Sequence, residues 1–473
     1  MLPDSSIADP TYHDALRWLY GLSPNVRTAA QIVADHPRKL ARTRALLERL
    51  GRPDRQLDSV LVAGTKGKGS IAAFSESILR AAGLRTGLVT SPHLVSWCER
   101  TRLDGRDVEP GTVGRLMPAV RAGVDRLSEE RPELGQATTF EAGLAFSLLA
   151  FVERGIEIAV VETGVGGLHD ATNVLEPLAV ALGPISYDHT ATLGPTLTSI
   201  AGEKTGIFRA RRLAISASQP PEALTVVEHA ARERGAVLEL LARDWHWHPE
   251  PPDDGQPCRG AFAVEGPRGR FAGLTTPLLG RHQRENAAVA VALTTGVLAE
   301  CPSPPLPPSP ARGGGGRIAA ERAIRAGLAT VRWPGRLQVL RKRPWLVVDG
   351  AHNGDSAQRL AQALGECFEP GRRHLVFGTS VGKDVSRMLD ALLPVASTVT
   401  LTRSHHERSV PLDRLTEAVA ERGVAATIVP EVHEAIEHAL TQAGPGELVI
   451  VTGSLFVVGE ALEVYGPERE GAS

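Results

Sequence analysis

The chain has 473 residues, of which 42% are hydrophobic and 22% charged. This length fits two or three domains rather than one hydrophobic core, and the apolar fraction argues against a disordered or fibrous chain. Its 52 basic and 54 acidic residues give a formal net charge of −2, without the basic excess typical of a general nucleic-acid or membrane-surface binder.

The N-terminal segment 1–14 is acidic and lacks the basic start and apolar core of a secretory signal. No uninterrupted apolar run approaches the ~18 residues of a membrane helix. The cysteines, Cys98, Cys258, Cys301 and Cys367, are far apart in sequence, which indicates neither a zinc site nor a disulfide framework. We therefore expect a soluble cytoplasmic protein with reduced thiols and with neither nucleic acid nor membrane as a partner.

Short apolar runs alternate with amphipathic stretches in the first half of the chain. SVLVAG (59–64) predicts a buried strand that ends in a glycine loop, and SIAAFSESILRAAG (70–83) predicts the helix after it. Further strands are predicted at TGLVTS (86–91), EIAVVETG (157–164) and LAVALGPIS (178–186). This alternation predicts an α/β fold with a mostly parallel sheet and helices on both faces.

A segment rich in proline and glycine, CPSPPLPPSPARGGGG (301–316), predicts an exposed linker. A helix is predicted after it, at 318–331. Strand-like runs then recur at 346–353, 374–380, 397–402, 426–430 and 447–454. The chain is therefore predicted to have a domain at 1–332, which includes the linker, and a smaller α/β domain at 333–473.

The stretch VAGTKGKGS (62–70) has the strand–loop–helix context of a phosphate-binding loop. Lys68 would reach the β- and γ-phosphates of a nucleotide, and the Ser70 hydroxyl would ligate Mg²⁺. The spacing is shorter than usual, because only two residues separate Gly64 from Gly67. The alternative is a tight turn that needs glycine only for its backbone angles.

Other polar residues follow predicted strands, where ligand sites of open α/β sheets cluster. Glu162 ends one strand and would suit Mg²⁺, while Asp188 and His189 end the next. Lys204 stands beside Glu203 in a later segment. Each has a structural alternative: a solvent-facing carboxylate, a hydrogen-bonded histidine, or a solvated helix face.

Two stretches stand out in the second domain. VVDGAHNGDS (347–356) predicts a strand-to-helix corner that would project Asp349 and His352 into an interdomain cleft. Arg336, within WPGRLQVL (333–340), would bind phosphate oxygens in a bidentate manner. The alternative for each is a turn without a ligand.

Taken in this order, the segments resemble the folylpolyglutamate synthase/dihydrofolate synthase family of the Mur-ligase superfamily. The resemblance extends from about Tyr12 to Leu462. The stretches that carry it are GTKGKGS (64–70), LRAAGLRTGLVTSPHLVSWCERTRLDG (79–105), TTFEAGLAFSLLAF (138–151), ETGVGGLHDATNV (162–174), DHTATLG (188–194), GEKTGIF (202–208), GRHQRENAAVA (280–290), WPGRLQV (333–339), DGAHN (349–353) and VTGSLFVVGE (451–460). It implies a P-loop Mur-ligase-type central domain with a mostly parallel sheet and a smaller Rossmann-like C-terminal α/β domain.

The resemblance also implies an activity: ATP-dependent addition of L-glutamate to a pterin or folate carboxylate, through an acyl phosphate, by a monomer that uses ATP and one or two Mg²⁺ ions. The implied nucleotide-binding residues are Gly64, Thr65, Gly67, Lys68, Gly69, Ser70, Asn286, Arg336 and Asp349. The implied metal ligands are Ser70, Glu162, His189 and Lys204, the last as a carbamate. The implied catalytic residues are Lys68, Lys204 and His352. The implied substrate residues are Ser91, Pro92, His93 and Asp170.

The chain departs from the family pattern at several positions. Lys66 stands where the family has asparagine, and Leu168, followed by His169, replaces an arginine. Gly354 replaces a proline, and the usual aspartate before Lys383 is absent. Two alternatives therefore stay open: a ligase repurposed for another carboxylate and amine, or a nucleotide-binding module that does not ligate. We also hypothesise that Lys66 adds a cation beside the phosphates or alters the approach of the carboxylate substrate.

Overall fold

The computed structural model describes most of the chain: residues 7–22, 28–250, 258, 260–300 and 315–466. The predicted linker lies outside these ranges except for its last two residues, which begin a helix. In the described part of the chain, every helix is too short or too polar to cross a membrane.

The first sheet has eight strands within the described residues. They are β1 (Asp58–Ala63), β2 (Thr86–Val89), β3 (Thr101–Leu103), β4 (Arg106–Asp107), β5 (Ile158–Glu162), β6 (Ala179–Leu182), β7 (Leu213–Ser216) and β8 (Val237–Leu240). Their spatial order is β4-β3-β2-β5-β1-β6-β7-β8, and all pairs from β2 to β8 in that order are parallel. The central strands β1 and β5 are buried apart from the first residue of β1, as expected for a sheet covered on both faces.

Helices cover both faces of this sheet. They are α1 (Pro10–Gly21), α2 (Ala29–Arg49), α3 (Lys68–Ala81), α4 (Pro110–Glu130), α5 (Thr139–Arg154), α6 (Thr190–Leu193), α7 (Leu197–Lys204), α8 (Pro221–Arg234), α9 (Arg281–Glu300) and α10 (Gly315–Thr330). On one face α3 packs between α9 and α10. The other face is covered mainly by α1, α2, α4, α5, α7 and α8.

A small antiparallel sheet follows, made of β9 (His246–Pro249), β10 (Phe262–Gly266) and β11 (Gly269–Leu274). The strand–helix pattern did not predict it. Its apolar side chains, including Phe262 and Phe271, join the core beneath α9.

The second large sheet contains β12 (Gln338–Lys342), β13 (Trp345–Asp349), β14 (Arg373–Phe377), β15 (Thr398–Leu401), β16 (Thr427–Ile428) and β17 (Leu448–Thr452). Its order is β12-β13-β17-β14-β15-β16, and only β12 is antiparallel to its neighbour among these strands. The helices that accompany it are α11 (Gly354–Cys367), α12 (Val385–Leu392), α13 (Leu412–Ala420), α14 (Val432–Gln442) and α15 (Leu455–Tyr465). The mostly parallel second α/β unit has the predicted character, while the domain boundary at residue 333 stays a prediction.

The prediction of reduced thiols is wrong for two cysteines. Cys258, just before β10, forms a disulfide with Cys367, the last residue of α11, and their Cα atoms lie 5.0 Å apart. The pair is separated by 109 residues in sequence, so only the packing of the small sheet against the second α/β unit brings it together. Cys98 is a buried thiol, and Cys301 lies outside the described residues.

Candidate active site

The phosphate-loop sequence lies between β1 and α3, as its pattern predicts. Gly64 has a φ of 145°, and a Cβ there would lie 2.9 Å from the Cα of Gly183, which follows β6. Gly67 has a φ of 74° and precedes the first residue of α3, and a Cβ there would collide with the side-chain amide of Asn286. Both positions therefore need glycine. The loop leads directly into the positive end of a helix, which favours an anion.

The loop opens onto a cleft of about 800 Å³ that both large sheets border. Predicted site residues on its wall are Gly64, Thr65, Gly67, Lys68, Gly69, Ser70, Ser91, Pro92, Glu162, Asp170, His189, Lys204, Asn286, Arg336, Asp349 and His352. His93 is not on that wall. Its Nδ1 accepts a hydrogen bond of 2.8 Å from Nε of Arg100, which does line the cleft.

Glu162 lies at the end of β5, where parallel pairing places it beside Val62 of β1. Its Oε1 is 4.0 Å from Nζ of Lys68, and its Oε2 accepts a hydrogen bond of 3.1 Å from the backbone N–H of Ser91. Burial raises the pKa of Glu162, and Lys68 opposes this shift. A buried carboxylate with one hydrogen bond has unused acceptor positions, which suit a bound cation.

Lys204, the last residue of α7, is buried next to the phosphate loop. Its Nζ donates a hydrogen bond of 2.9 Å to the carbonyl oxygen of Gly64. Burial lowers the pKa of Lys204 to about 7, and the nearby charge of Lys68 adds to this effect. The amine is therefore half neutral near pH 7, which gives it the nucleophilic character of an unprotonated amine.

Asp188 joins two parts of the cleft. Its Oδ2 is 3.2 Å from Nζ of Lys66 and accepts a hydrogen bond of 3.1 Å from Nδ2 of Asn353, which caps α11. Burial would raise the pKa of Asp188, but Lys66 and His189 hold it well below its usual range. The unusual Lys66 thus neutralises a carboxylate that links the two large sheets.

His189 follows Asp188 in a left-handed conformation with a φ of 50°. A non-glycine residue pays on the order of 1–2 kcal/mol for this conformation, and such residues cluster at functional sites. Burial lowers the pKa of His189, with Asp188 opposing the shift. The neutral imidazole is the form that binds metals.

Asp349 ends β13 and is buried. Its Oδ2 accepts a hydrogen bond of 2.7 Å from the N–H of Leu337, and its Oδ1 accepts one of 2.9 Å from the N–H of Ala351. Burial raises the pKa of Asp349, and Arg336 opposes this shift. The carboxylate therefore holds together the two turns on which Arg336 and His352 stand.

His352 lies on the cleft wall at the corner between β13 and α11. Its Nδ1 lies 2.8 Å from the carbonyl oxygen of Gly350, so Nδ1 carries the proton and Nε2 carries the lone pair. Burial lowers the pKa of His352 to about 3, with Lys383 adding to the effect. The neutral ring is a hydrogen-bond acceptor and a weak base.

Comparison with known proteins assigns each of the two α/β units to a domain family. Residues 62–294 match the Mur ligase middle domain, and residues 335–455 match the Mur ligase glutamate ligase domain. The chain is 30% identical over 453 residues to the dihydrofolate synthase/folylpolyglutamate synthase of Bacillus subtilis (strain 168), covering 95% of this chain and 98% of that protein. The chain belongs to the folylpolyglutamate synthase/dihydrofolate synthase family. The folylpolyglutamate synthase of Lacticaseibacillus casei is 32% identical over 426 residues, covering 89% of this chain and 92% of that protein.

Solved structures of this family share the fold. Mycobacterium tuberculosis folylpolyglutamate synthase complexed with ADP and AMPPCP has a TM-score of 0.81 at 28% identity, covering 91% of this chain and 96% of that one. E. coli FolC in complex with DHPP and ADP has a TM-score of 0.80 at 27% identity, covering 97% and 98%. The predicted fold class is confirmed.

Asp170 lines the cleft, and the family resemblance implies that it contacts the pterin. Asp170 accepts hydrogen bonds from the backbone N–H groups of Val165 and Thr172, at 3.1 and 3.0 Å, and lies 3.9 Å from Nζ of Lys39. Lys39 also lies 5.8 Å from the ring centroid of Phe140. The sequence reasoning missed Lys39, which follows no strand, and assigned no role to Phe140, although its TTFEAG segment carries the family resemblance.

The side chains that could bind a cation in this cleft have the chemistry that Mg²⁺ prefers. A hydroxyl and a buried carboxylate, from Ser70 and Glu162, are the hard oxygen ligands that Mg²⁺ takes. Glu162 also keeps acceptor positions beyond its hydrogen bond to Ser91. A carbamate on Lys204 would add another oxygen donor to this set, and His189 would add a nitrogen.

Proposed function

We propose that this protein adds L-glutamate to the carboxylate of a pterin or folate, through an acyl phosphate formed with ATP. The protein is an ATP-dependent ligase of its family. The observation that carries the proposal is the cleft itself, in which the phosphate loop and Lys204 face Arg336 and His352 of the glutamate ligase domain. Relatives solved with ADP and AMPPCP, and with DHPP and ADP, support it.

The first step activates a poor acyl donor. An oxygen of the substrate carboxylate attacks the γ-phosphorus of ATP, and the bond to the β-phosphate oxygen breaks to release ADP. Lys68 and the backbone N–H groups of the loop hold the phosphates in position. Ser70, Glu162, His189 and carbamylated Lys204 would hold Mg²⁺, which neutralises charge on the phosphate oxygens. Arg336, on the opposite wall, supplies a fixed positive charge.

The second step forms the amide bond. The neutral amine nitrogen of glutamate attacks the acyl carbon, and the tetrahedral intermediate collapses with cleavage of the C–O bond to phosphate, whose oxygen takes the proton that the nitrogen gives up. His352 has a pKa of about 3, which makes it too weak a base to take that proton efficiently near neutral pH. We therefore assign His352 a positioning role, in which its Nε2 accepts a hydrogen bond from the incoming amine.

A substrate test decides between the candidate functions. ADP release is measured with dihydropteroate or tetrahydrofolate, each with and without L-glutamate. Glutamate-dependent turnover with dihydropteroate identifies a dihydrofolate synthase, turnover with tetrahydrofolate a folylpolyglutamate synthase, and turnover with both a bifunctional enzyme.

The same assay separates the alternatives. ATP binding without turnover of either pterin would contradict the proposal and favour a ligase for another carboxylate and amine. Failure to bind ATP would contradict every ligase assignment. The expected monomeric state stays a prediction, which sedimentation of the full chain tests.

A further inference from the structure

Three side chains outside the catalytic set converge at the edge of the cleft. They are His36 of α2, His169 of the loop after β5, and Glu203 of α7, and one ligand atom from each lies within 4.8 Å of the other two. The two imidazole rings stack at 4.7 Å with an angle of 18° between their planes. All three side chains are partly exposed, so a cation and a water molecule can reach them.

The side chains are not held together by hydrogen bonds of their own. Nε2 of His169 is 3.8 Å from Oε1 of Glu203, which is too long for a hydrogen bond. Elsewhere in the described ranges, none of the three side chains has a hydrogen-bond partner. Their nitrogen and carboxylate lone pairs are therefore available to a shared ligand.

The backbone fixes two of these residues relative to each other. The N–H of Leu168 donates a hydrogen bond of 2.7 Å to the carbonyl oxygen of Glu203, and a Cβ at Gly167 would collide with that same stretch of α7. His169 and Glu203 are thus presented by one rigid unit. His36 faces this unit from α2, the helix that also carries Lys39 on the cleft wall.

We propose that His36, His169 and Glu203 form a binding site for a divalent transition-metal cation of the Zn²⁺ class. Two imidazoles and one carboxylate are a ligand set for Zn²⁺, Co²⁺ or Ni²⁺ rather than for Mg²⁺. Metal–ligand bonds of about 2.1 Å in a tetrahedral geometry separate ligand atoms by roughly 3.4 Å. The ligand atoms therefore need to close by up to about 1.4 Å. The stacked rings also need to turn so that their lone pairs converge, and rotation of partly exposed side chains allows both changes. One position remains open to water.

The proposed metal site uses none of the residues assigned to glutamate ligation. A cation bound there would, however, restrict the motion of one wall of the cleft. A bound cation joins α2 to the loop that ends at Asp170 and to the C-terminal end of α7. These are the elements that present Lys39, Asp170 and Lys204 to the cleft. Occupancy would therefore stiffen the wall on which the acyl substrate is expected to lie.

Direct metal binding tests the proposal. The untagged full chain is stripped with a chelator and titrated with Co²⁺ in excess Mg²⁺, which occupies the oxygen-rich phosphate site. We expect visible d–d absorption that saturates at one equivalent and is displaced by Zn²⁺. His36→Gln and His169→Gln are each expected to weaken Co²⁺ binding at least about 100-fold, because loss of even an outer-shell partner costs 10–100-fold.

Two controls keep the outcome clear. His229→Gln changes an exposed histidine on α8 and is expected to leave the titration unchanged. Zn²⁺ is expected to raise the thermal unfolding midpoint of the wild type but not of His36→Gln. Absence of Co²⁺ binding to the wild type would overturn the proposal. So would unchanged affinity in both ligand variants, or an equal loss in the control.

Discussion

Replacing Lys204 by alanine should abolish ligase activity, and so should removing CO₂ from the wild-type protein. The reason is the buried amine, whose pKa is lowered to about 7. A lysine with the ordinary pKa of about 10.4 is neutral in only about one molecule in 2500 at pH 7, whereas Lys204 is neutral in about half. Carbamate formation consumes the neutral amine, and the lowered pKa raises the fraction of that reactive form by about three orders of magnitude at pH 7.

The direction of this pKa shift determines how the rate of carbamate formation depends on pH. Because the pKa is lowered, the amine is protonated below about pH 7 and neutral above it. At a fixed concentration of dissolved CO₂, the rate of carbamate formation should rise roughly fivefold from about pH 6 to pH 7 and only about twofold from pH 7 to pH 9. An unshifted lysine would instead give about a hundredfold rise over that second interval.

The assay follows reactivation of ADP release after dialysis against CO₂-free buffer, with CO₂ added at each pH and activity read at one common pH. Wild-type protein treated with ¹³CO₂ should show a carbamate carbon signal that Lys204→Ala lacks, and added short-chain carboxylates should restore part of that variant's activity. A hundredfold rise between about pH 7 and pH 9 would refute the lowered pKa. Full wild-type activity without CO₂ would refute the carbamate.

Four other variants have defined outcomes. Lys68→Ala should abolish turnover and leave the circular dichroism spectrum unchanged, and near wild-type ADP release would contradict the phosphate-loop assignment. Lys66→Asn removes the ion-pair partner of Asp188 beside the phosphates and should raise KM for ATP about tenfold, or ~1.4 kcal/mol. Unchanged kinetics would make Lys66 a neutral variation. Cys258→Ser together with Cys367→Ser should lower the free energy of unfolding by ~2–4 kcal/mol, and a reductant should have the same effect on the wild type. Equal urea midpoints for the wild type and the double variant would contradict the disulfide. Arg42 of α2 is buried, and its Nη2 lies 2.7 Å from Oδ2 of buried Asp35 and 3.0 Å from Oε2 of buried Glu141. Arg42→Met leaves both carboxylates without this cation and should lower the free energy of unfolding in urea by ~3–5 kcal/mol, whereas a loss below ~1 kcal/mol would show that Arg42 is not needed to neutralise them.

Local sequence patterns predicted the elements that position the phosphate loop. The strand predicted at 59–64 is β1 (Asp58–Ala63), and the helix predicted at 70–83 is α3 (Lys68–Ala81). These two predictions succeeded because a fully buried parallel strand appears in the sequence as a short apolar run, and because glycines with a positive φ mark the turn between the strand and the helix. The same logic placed Glu162 at a strand end.

Contacts between distant segments could not be predicted in this way. The hydrogen bond from Asn353 to Asp188 spans 165 residues, and the convergence of His36 with His169 depends on how α2 packs against a loop. The disulfide likewise joins Cys258 to a helix of the other unit. None of these leaves a periodic signal, because each depends on the relative placement of elements rather than on the residues within one element.

Three departures from the family pattern, at Lys66, His169 and Gly354, have local partners in the structure, which argues against a decayed nucleotide-binding module. Lys66 is matched by Asp188, and His169 is matched by the stacked ring of His36. Gly354 is matched by Arg387, because a Cβ at 354 would come within 2.6 Å of the Arg387 Cβ, leaving no room for the ring of a proline. Substitutions that accumulate after loss of function would leave cavities or unpaired charges at such places. Their compensation indicates a cleft that still works as a ligase, with altered walls around a phosphate loop that keeps Gly64, Gly67, Lys68 and Ser70.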